Sequence, residues 1–237
     1  MLELNKLYLM GCMEGMKEFP DKYFDLAIVD PPYGIGNFTP ETDSGSYKKG
    51  TKKLKTAYDQ DYKWNEKIPD KKYFSELYRI SKRQIIWGAN YYNSFSELGG
   101  CLVWYKNTGL KTQLSQCEIA SLSWKRQVDY VDIMKLTGFL APIKYIHPCE
   151  KPFKLYKWIL RNYAKPDMKI IDTHVGSGNS IIAFLDFGCD WIGFEIDEDY
   201  HKAASERIEI HKKRPKPFFT DGELADKNIK QKGFFDK

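Results

Sequence analysis

The sequence lacks the patterns that mark secreted, membrane-spanning and zinc-binding proteins. It has no basic start followed by a short apolar stretch, and no apolar run approaches the roughly 20 residues that span a bilayer. The five cysteines are dispersed and form no C-x-x-C pair, so we expect a reduced, cytoplasmic setting. The four histidines show no H-x-x-H or H-x-x-x-H spacing. We therefore expect neither a metal site nor a membrane partner.

A large excess of one charge is also missing. The formal net charge of +5 permits nucleic-acid binding through a local patch but does not demand it. The 237 residues are enough for one α/β domain with a small insertion. We expect a single domain over residues 1–215 and a flexible tail over residues 216–237.

What the sequence does contain is an acidic turn stiffened by prolines. The mostly apolar run 24–29 is followed by Asp30, Pro31, Pro32 and Tyr33. Prolines fix φ near about −65° and donate no N–H, so the turn offers hydrogen-bond acceptors without competing donors. Such acceptors suit an exocyclic amine on an aromatic base, because accepting both N–H groups draws the delocalised nitrogen toward a tetrahedral, nucleophilic geometry. The turn favours an amine-methylation site, and the alternative is an Asx-turn that closes a buried strand.

A second motif joins an acid to a glycine turn. Asp172 follows the short apolar run 168–171, and the turn with Gly176 and Gly178 leads into a helical pattern at 179–187. Because glycines let the backbone approach a ligand closely, this order predicts a nucleotide-binding strand–turn–helix unit. The third glycine of the dinucleotide fingerprint is missing, so pyrophosphate binding is not favoured.

A third acid, Glu195, ends the run 190–194 and lies about 20 residues beyond Gly176. In doubly wound folds an acid at this place hydrogen-bonds a ribose. Asp30, Asp172 and Glu195 each end a predicted strand, and the carboxyl ends of parallel strands share one edge of a sheet. We therefore predict that the three acids line one edge, although capping of the following helices is the alternative for the last two.

Strand-like and helix-like patterns alternate along the chain. This alternation predicts an α/β fold with a mostly parallel sheet and helices on both faces. The predicted strands are 24–29, 84–88, 101–105, 117–124, 168–171 and 190–195, and the predicted helices are 70–80, 152–164, 179–187 and 198–212.

Taken together, five motifs in this order resemble those of the S-adenosylmethionine-dependent DNA amino-methyltransferases. The similarity is to adenine-N6 enzymes of the permuted group, in which the catalytic motif precedes the cofactor motif, and it spans about residues 7–210. It implies a Rossmann-like methyltransferase fold with circularly permuted motif order and S-adenosylmethionine as the cofactor. The motifs are residues 30–33, 85–91, 147–152, 172–180 and 195–200.

The resemblance implies a role for each matching residue. Asp30 and the Pro31 carbonyl would hold the target amine, and Tyr33 would stack on a flipped base, a contact worth about 1–3 kcal/mol. Asp30 favours adenine, because cytosine-N4 members usually carry serine there. The implied catalytic residues are Asp30, Pro31, Pro32 and Tyr33, and the implied cofactor-binding residues are Cys12, Lys151, Asp172, His174, Gly176, Ser177, Gly178, Ser180 and Glu195.

Some positions depart from the family pattern or have another reading. Gly11 replaces an acid that in relatives contacts the adenine of the cofactor, and Tyr105 stands where relatives often have aspartate. Lys151 would lie near the cofactor carboxylate, or be a solvated lysine at a helix start. His174 could cover the cofactor with its ring face, or be a surface or packed histidine.

Basic side chains predict DNA contacts in two places. A lysine-rich stretch after the catalytic turn could neutralise phosphates and close over the site, or be a solvated loop. The family places target recognition in a region that corresponds to residues 107–145. The candidate contacts are Lys48, Lys49, Lys52, Lys53, Lys55, Lys125, Arg126 and Lys135.

We therefore predict direct in-line methyl transfer to N6 of an adenine extruded from double-stranded DNA, without a covalent intermediate or a metal. A cognate restriction enzyme and a second copy of the chain are further candidate partners. The alternatives are cytosine-N4 methylation, methylation of an amine in RNA or protein, and a non-catalytic nucleic-acid-binding protein. Cytosine-C5 methylation through Cys149 is disfavoured, because the proline turn has no role in that chemistry.

Overall fold

A computed structural model describes residues 1–35, 65–107, 115–134, 146–147 and 149–214. The described residues form one eight-stranded sheet in the order β1-β8-β7-β2-β3-β5-β4-β6. Every pairing is parallel except those of β5 with β3 and β4. The strands are β1 (Lys6–Leu9), β2 (Phe24–Val29), β3 (Ser81–Trp87), β4 (Cys101–Tyr105), β5 (Cys117–Leu122), β6 (Val128–Asp132), β7 (Lys169–Asp172) and β8 (Asp190–Glu195).

Helices cover both faces of the sheet, because successive side chains of the central strands are buried on opposite sides. In β2, Ile28 packs with α4, α5 and α6, whereas Val29 packs with α1 and α2. A parallel sheet needs this double cover. None of the helices in the described segments is long and apolar enough to cross a membrane. The helices are α1 (Cys12–Lys17), α2 (Lys71–Ile80), α3 (Ala89–Tyr92), α4 (Phe153–Tyr163), α5 (Asn179–Phe187) and α6 (Glu198–Lys213).

The predicted fold class is confirmed, and all of the predicted helices and strands are present to within a few residues. Four short elements were not predicted: β1, β6, α1 and α3. Each has only four to six residues, too few for a periodic pattern to stand out. The single-domain boundaries stay a prediction.

The described part of the predicted recognition region belongs to the main sheet. β5 lies between β3 and β4, and β6 pairs with β4. Residues 108–114 and 135–145 lie outside the described residues, as does the predicted tail at 216–237.

The sheet order brings the three acids together. β8, β7 and β2 are consecutive parallel strands, so Glu195, Asp172 and the Asp30 turn all lie at the same carboxyl edge. Because β5 runs the other way, its first residues lie at this edge too.

Candidate active site

Asp30 follows the last residue of β2 and lies at the rim of the sheet, with its side chain 19% exposed. Both carboxylate oxygens have partners. Oδ1 accepts a hydrogen bond from the Tyr33 hydroxyl at 2.7 Å, and Oδ2 lies 2.5 Å from the Lys151 ammonium. The predicted second acceptor, the Pro31 carbonyl, accepts the Tyr92 hydroxyl at 2.5 Å. The turn therefore presents oxygen acceptors, as its sequence indicates, and neighbouring side chains bond to both of them.

Tyr33 has contacts through its backbone and through its ring. Its backbone N–H donates to Asn65 Oδ1 at 2.9 Å, and its ring stacks on Tyr91 with centroids 4.9 Å apart. Gly88 packs against the ring edge, where a Cβ would come within 2.4 Å of Tyr33 Cε1. Glycine at position 88 thus leaves the room that the tyrosine ring needs.

Lys151 contacts two carboxylates. Its ammonium lies 2.5 Å from Asp30 Oδ2 and 3.0 Å from Glu118 Oε2. Its expected place near the carboxylate of the cofactor stays a prediction. Its side chain is only 2% exposed, so it is not a solvated lysine. Burial alone would lower the pKa of Lys151, but the two adjacent carboxylates raise it, and the ammonium stays charged.

Glu118 is a site residue that the sequence did not reveal. It lies at the start of β5, and its Oε1 lies 3.2 Å from the Lys106 ammonium. Its Oε2 contacts Lys151 and is 3.2 Å from the Tyr33 hydroxyl. A lone glutamate in a short strand carries no motif, and only the reversed direction of β5 brings it to the rim.

The glycine turn follows β7 and begins α5. Gly176 and Gly178 have φ values of +54° and +84°, which other residues rarely adopt. Glu195 orders the turn, because its Oε2 accepts the Gly176 N–H at 2.8 Å and its Oε1 accepts the Asp197 N–H at 2.9 Å. Two of the four lone pairs on this carboxylate are therefore used by backbone donors.

Asp172 is almost fully buried beneath the turn and accepts the His174 N–H at 3.0 Å. Burial raises the pKa of Asp172 to about 7, and the nearby charges of Asp30 and Glu195 add to the shift. The carboxyls of the three strands thus interact electrostatically. A cation placed among them would favour the ionised form of Asp172.

His174 and Cys12 lie together above the same edge. The His174 ring bonds to Thr173 Oγ1 at 2.9 Å, and its Nε2 is 3.9 Å from the Cys12 sulfur. Burial lowers the pKa of His174 to about 4, so the ring is neutral at pH 7. Burial also raises the pKa of Cys12 to about 11, so the thiol stays protonated.

The segment that carries Lys151 is tied to the glycine turn. Asn179, the first residue of α5, donates to the Lys151 carbonyl at 2.9 Å and to Glu150 Oε1 at 2.8 Å. Arg207 of α6 donates to the same Glu150 oxygen at 2.9 Å and to the Ser177 carbonyl at 3.1 Å. One network therefore joins the segment of Lys151 to the glycine turn.

The structure brings most of the predicted residues to one edge. Within the described segments, no group of His, Cys, Asp or Glu side chains is arranged to hold a metal ion. The roles of the individual residues stay predictions. The predicted cofactor residues at this edge are Cys12, Asp172, His174, Gly176, Ser177, Gly178, Ser180 and Glu195.

The predicted DNA contacts Lys125 and Arg126 do not lie at this edge. They belong to the turn between β5 and β6, which lies at the opposite edge of the sheet from Asp30, where the parallel strands begin. Lys125 also forms an ion pair with Asp129 at 2.6 Å. Their contact with DNA stays a prediction. The other candidates, Lys48, Lys49, Lys52, Lys53, Lys55 and Lys135, lie outside the described residues.

Comparisons with known sequences identify a family. A family model described as DNA methylase matches residues 53–206, which is more than half of the chain and does not include the Asp30 turn. YubD of Escherichia coli (strain K12), a candidate methylase, is 23% identical over 215 residues, covering 83% of this chain and 87% of YubD. The type II methyltransferase M1.MboII of Moraxella bovis is 31% identical over 71 residues, covering 30% of this chain and 24% of that protein.

Solved structures share the fold. The cytosine-N4-specific PvuII DNA methyltransferase superposes with a TM-score of 0.56 at 15% identity, covering 93% of this chain and 90% of that one. The M1.HpyAVI–SAM complex has a TM-score of 0.52 at 18% identity, covering 85% of this chain and 98% of that one. At these identities the likeness shows a common architecture.

Proposed function

The chain belongs to the DNA methylase family, and from this premise we propose that it transfers a methyl group from S-adenosylmethionine to the exocyclic N6 amine of an adenine flipped out of double-stranded DNA. The observation that carries the proposal is the common edge of β8, β7 and β2. There the Asp30 turn lies next to the glycine turn that follows Asp172. In the chain, the Asp30 turn precedes the glycine turn, and this order supports membership of the permuted group.

The residues at this edge fit the proposed cofactor. S-adenosylmethionine bears a sulfonium and an ammonium. It would supply an electrophilic methyl group, and loss of the methyl group converts the sulfonium into a neutral thioether. The interacting carboxyls of Asp30, Asp172 and Glu195 favour a cationic ligand, as the raised pKa of Asp172 indicates. The left-handed Gly176 and Gly178 let the backbone approach such a ligand closely.

The chain's own residues would orient the amine rather than form a covalent bond. Asp30 accepts one N–H and the Pro31 carbonyl accepts the other, which turns the nitrogen lone pair toward the methyl group. As the C–N bond forms the C–S bond breaks, and the nitrogen, now positively charged, loses a proton through Asp30 to solvent. Alignment of the two groups can supply roughly 7–11 kcal/mol of barrier reduction.

The acid at position 30 favours adenine over cytosine as the substrate. The specific alternative is the N4 amine of cytosine, because the PvuII enzyme with the same architecture is cytosine-N4-specific. Both bases present an amine next to a ring nitrogen, so the acceptors at the turn suit either. An experiment must therefore identify the modified base.

Expression in a methylation-deficient bacterial host, followed by single-molecule sequencing of the DNA, tests the proposal directly. We expect N6-methyladenine at a defined sequence. N4-methylcytosine would contradict the base assignment, and unmodified DNA with no transfer of labelled methyl in vitro would contradict the function.

Substitution of the central acid tests the site. Asp30→Ala should abolish methylation and leave cofactor affinity, measured by calorimetry, within a few-fold of the parent. Asp25→Ala is the matched control, because Asp25 lies on the same strand and pairs with Lys82 away from the edge. A near-normal rate in Asp30→Ala, or loss of cofactor binding, would make Asp30 a structural residue.

A further inference from the structure

The contacts of Lys151 suggest that this residue also recognises the target base. Its ammonium has three N–H donors, and the described residues offer it three acceptors. Two are the carboxylates of Asp30, at 2.5 Å, and Glu118, at 3.0 Å. The third is the Tyr33 hydroxyl, at 2.9 Å. The hydroxyl is the uncharged partner among these acceptors, and so the one that a neutral ligand can replace at the lowest electrostatic cost.

The Tyr33 hydroxyl combines two hydrogen-bonding roles at one point. It donates to Asp30 Oδ1 at 2.7 Å and accepts from Lys151. A ligand that replaces it must therefore offer a donor toward Asp30 and an acceptor toward Lys151.

An aromatic amine with an adjacent ring nitrogen has this pair of groups. Adenine offers the N6 donor beside the N1 acceptor, and cytosine offers the N4 donor beside the N3 acceptor. Guanine and thymine present the reverse, a carbonyl acceptor beside a ring N–H donor. Enzymes that flip a base recognise it by hydrogen bonds to its Watson–Crick edge, which carries these groups. The carboxylate of Asp30 and the ammonium of Lys151 match the first pair and oppose the second.

We propose that Lys151 is a specificity-determining residue that donates a hydrogen bond to the ring nitrogen beside the target amine, in the place that the Tyr33 hydroxyl occupies in this structure. The proposal rests on the proposed function and adds a contact to it. As the base enters, the Tyr33 ring turns away from Asp30 and becomes free to stack. Lys151 and Asp30 then admit adenine and cytosine and reject guanine and thymine.

Glu118 is in this scheme a positioning residue. Its Oε2 lies 3.0 Å from the Lys151 ammonium, and Lys106 in turn pairs with its other oxygen. The two lysines and two carboxylates balance in charge, so the ammonium can face a neutral base without an unpaired charge remaining in the buried site.

Removal of the ring nitrogen from the substrate tests the contact on the unaltered enzyme. The substrate is a synthetic duplex around the site found by sequencing, with 1-deazaadenine as the target base, or 3-deazacytosine if cytosine is modified. Because a deaza base also pairs weakly and flips easily, the control duplex carries the natural base opposite a mismatch. We expect kcat/KM to fall about tenfold to a hundredfold relative to this control, since a buried donor loses its partner.

Variants assign the loss to Lys151. In Lys151→Met, the deaza duplex and the mismatch control should be methylated at equal rates, however slow. Lys151→Met leaves the carboxylates of Asp30 and Glu118 without the ammonium that neutralises them. The double variant Lys151→Met, Glu118→Gln removes one charge of each sign, so it keeps the net charge unchanged, and it should show the same equal rates. Circular dichroism checks that both are folded.

The outcomes separate the two proposals. If the natural duplex receives no methyl group, the proposed function fails. If it is methylated and the deaza duplex reacts as fast as the mismatch control, the role of Lys151 fails while the function stands. A deaza penalty that persists in both variants also overturns the assignment to Lys151.

Discussion

At the scale of single residues, burial decides what each titratable group can do. The Asp172 carboxyl has a pKa of about 7, whereas the His174 ring, buried beside it, has a pKa of about 4 and stays neutral. Of these neighbours at the glycine turn, Asp172 is the one whose charge changes near physiological pH.

This shift predicts a pH dependence of cofactor binding. Below about pH 7 Asp172 is protonated and neutral, and above it the carboxylate attracts a cation. The affinity for S-adenosylmethionine should therefore rise with pH, by up to about tenfold for each unit below the pKa. Binding below that pKa should release a proton, which calorimetry in buffers of different ionisation enthalpy detects. Asp172→Asn should remove the part of the dependence that belongs to this residue, and an identical profile in that variant would contradict the assignment.

The residue scale also shows where sequence reasoning stops. Asp30 and Glu195 could be placed at the rim because each directly follows a recognisable strand. Glu118 could not, because its place depends on β5 being inserted in reverse between β3 and β4. Lys151 was recognised, but the direction of its long side chain, toward Asp30 rather than the turn, depends on tertiary packing.

At the scale of elements, α5 is bounded by two left-handed glycines with nearly equal dihedrals. Gly178 at its start has φ +84°, and Gly188 at its end has φ +81°. Their surroundings differ. A Cβ on Gly178 would lie 3.3 Å from Ala204, whereas a Cβ on Gly188 would meet nothing within 4 Å.

The pair gives a matched test of the glycine turn. Gly178→Val should block cofactor uptake, because it distorts the turn that approaches the ligand. Gly188→Val should carry the same backbone penalty, about 1–2 kcal/mol, and keep cofactor affinity. Calorimetry and thermal unfolding measure the two effects. Unimpaired uptake in Gly178→Val would remove the assignment of the turn to the cofactor.

Element length explains which parts of the fold were predictable. The runs that became β2, β8 and α5 are mostly apolar, so their patterns were clear. The unpredicted β1 and β6 are short and largely accessible to solvent. They lie at the two ends of the sheet, where one side of a strand remains unpaired within the described residues.

At the scale of the whole molecule, distant parts of the chain must meet at one rim. The network around Glu150 performs part of this joining, since it links the Lys151 segment to both α5 and α6. Arg207 reaches three acceptors there, and its side chain is 18% exposed.

We expect Arg207→Met to lower the free energy of unfolding by about 2–3 kcal/mol, because buried partners of a charged group lose their hydrogen bonds. It should also lower kcat, since the support of Lys151 is weakened. Lys212→Met is the control, because Lys212 lies on the same helix in an exposed pair with Glu209. Urea unfolding and methylation rates compare the variants. Equal stability of the two variants would contradict a joining role for Arg207.

The alignment of strand ends also has a consequence for how a polyanion can approach. Asp172 and Glu195 give the rim two acidic groups, and none of the ion pairs between described residues joins a lysine to either of them, although the formal net charge of the chain is +5. Phosphodiester groups are repelled from such a rim, while an uncharged heterocycle is not. For the proposed DNA substrate we therefore expect this edge to keep the sugar–phosphate strand at a distance and to admit a single uncharged base.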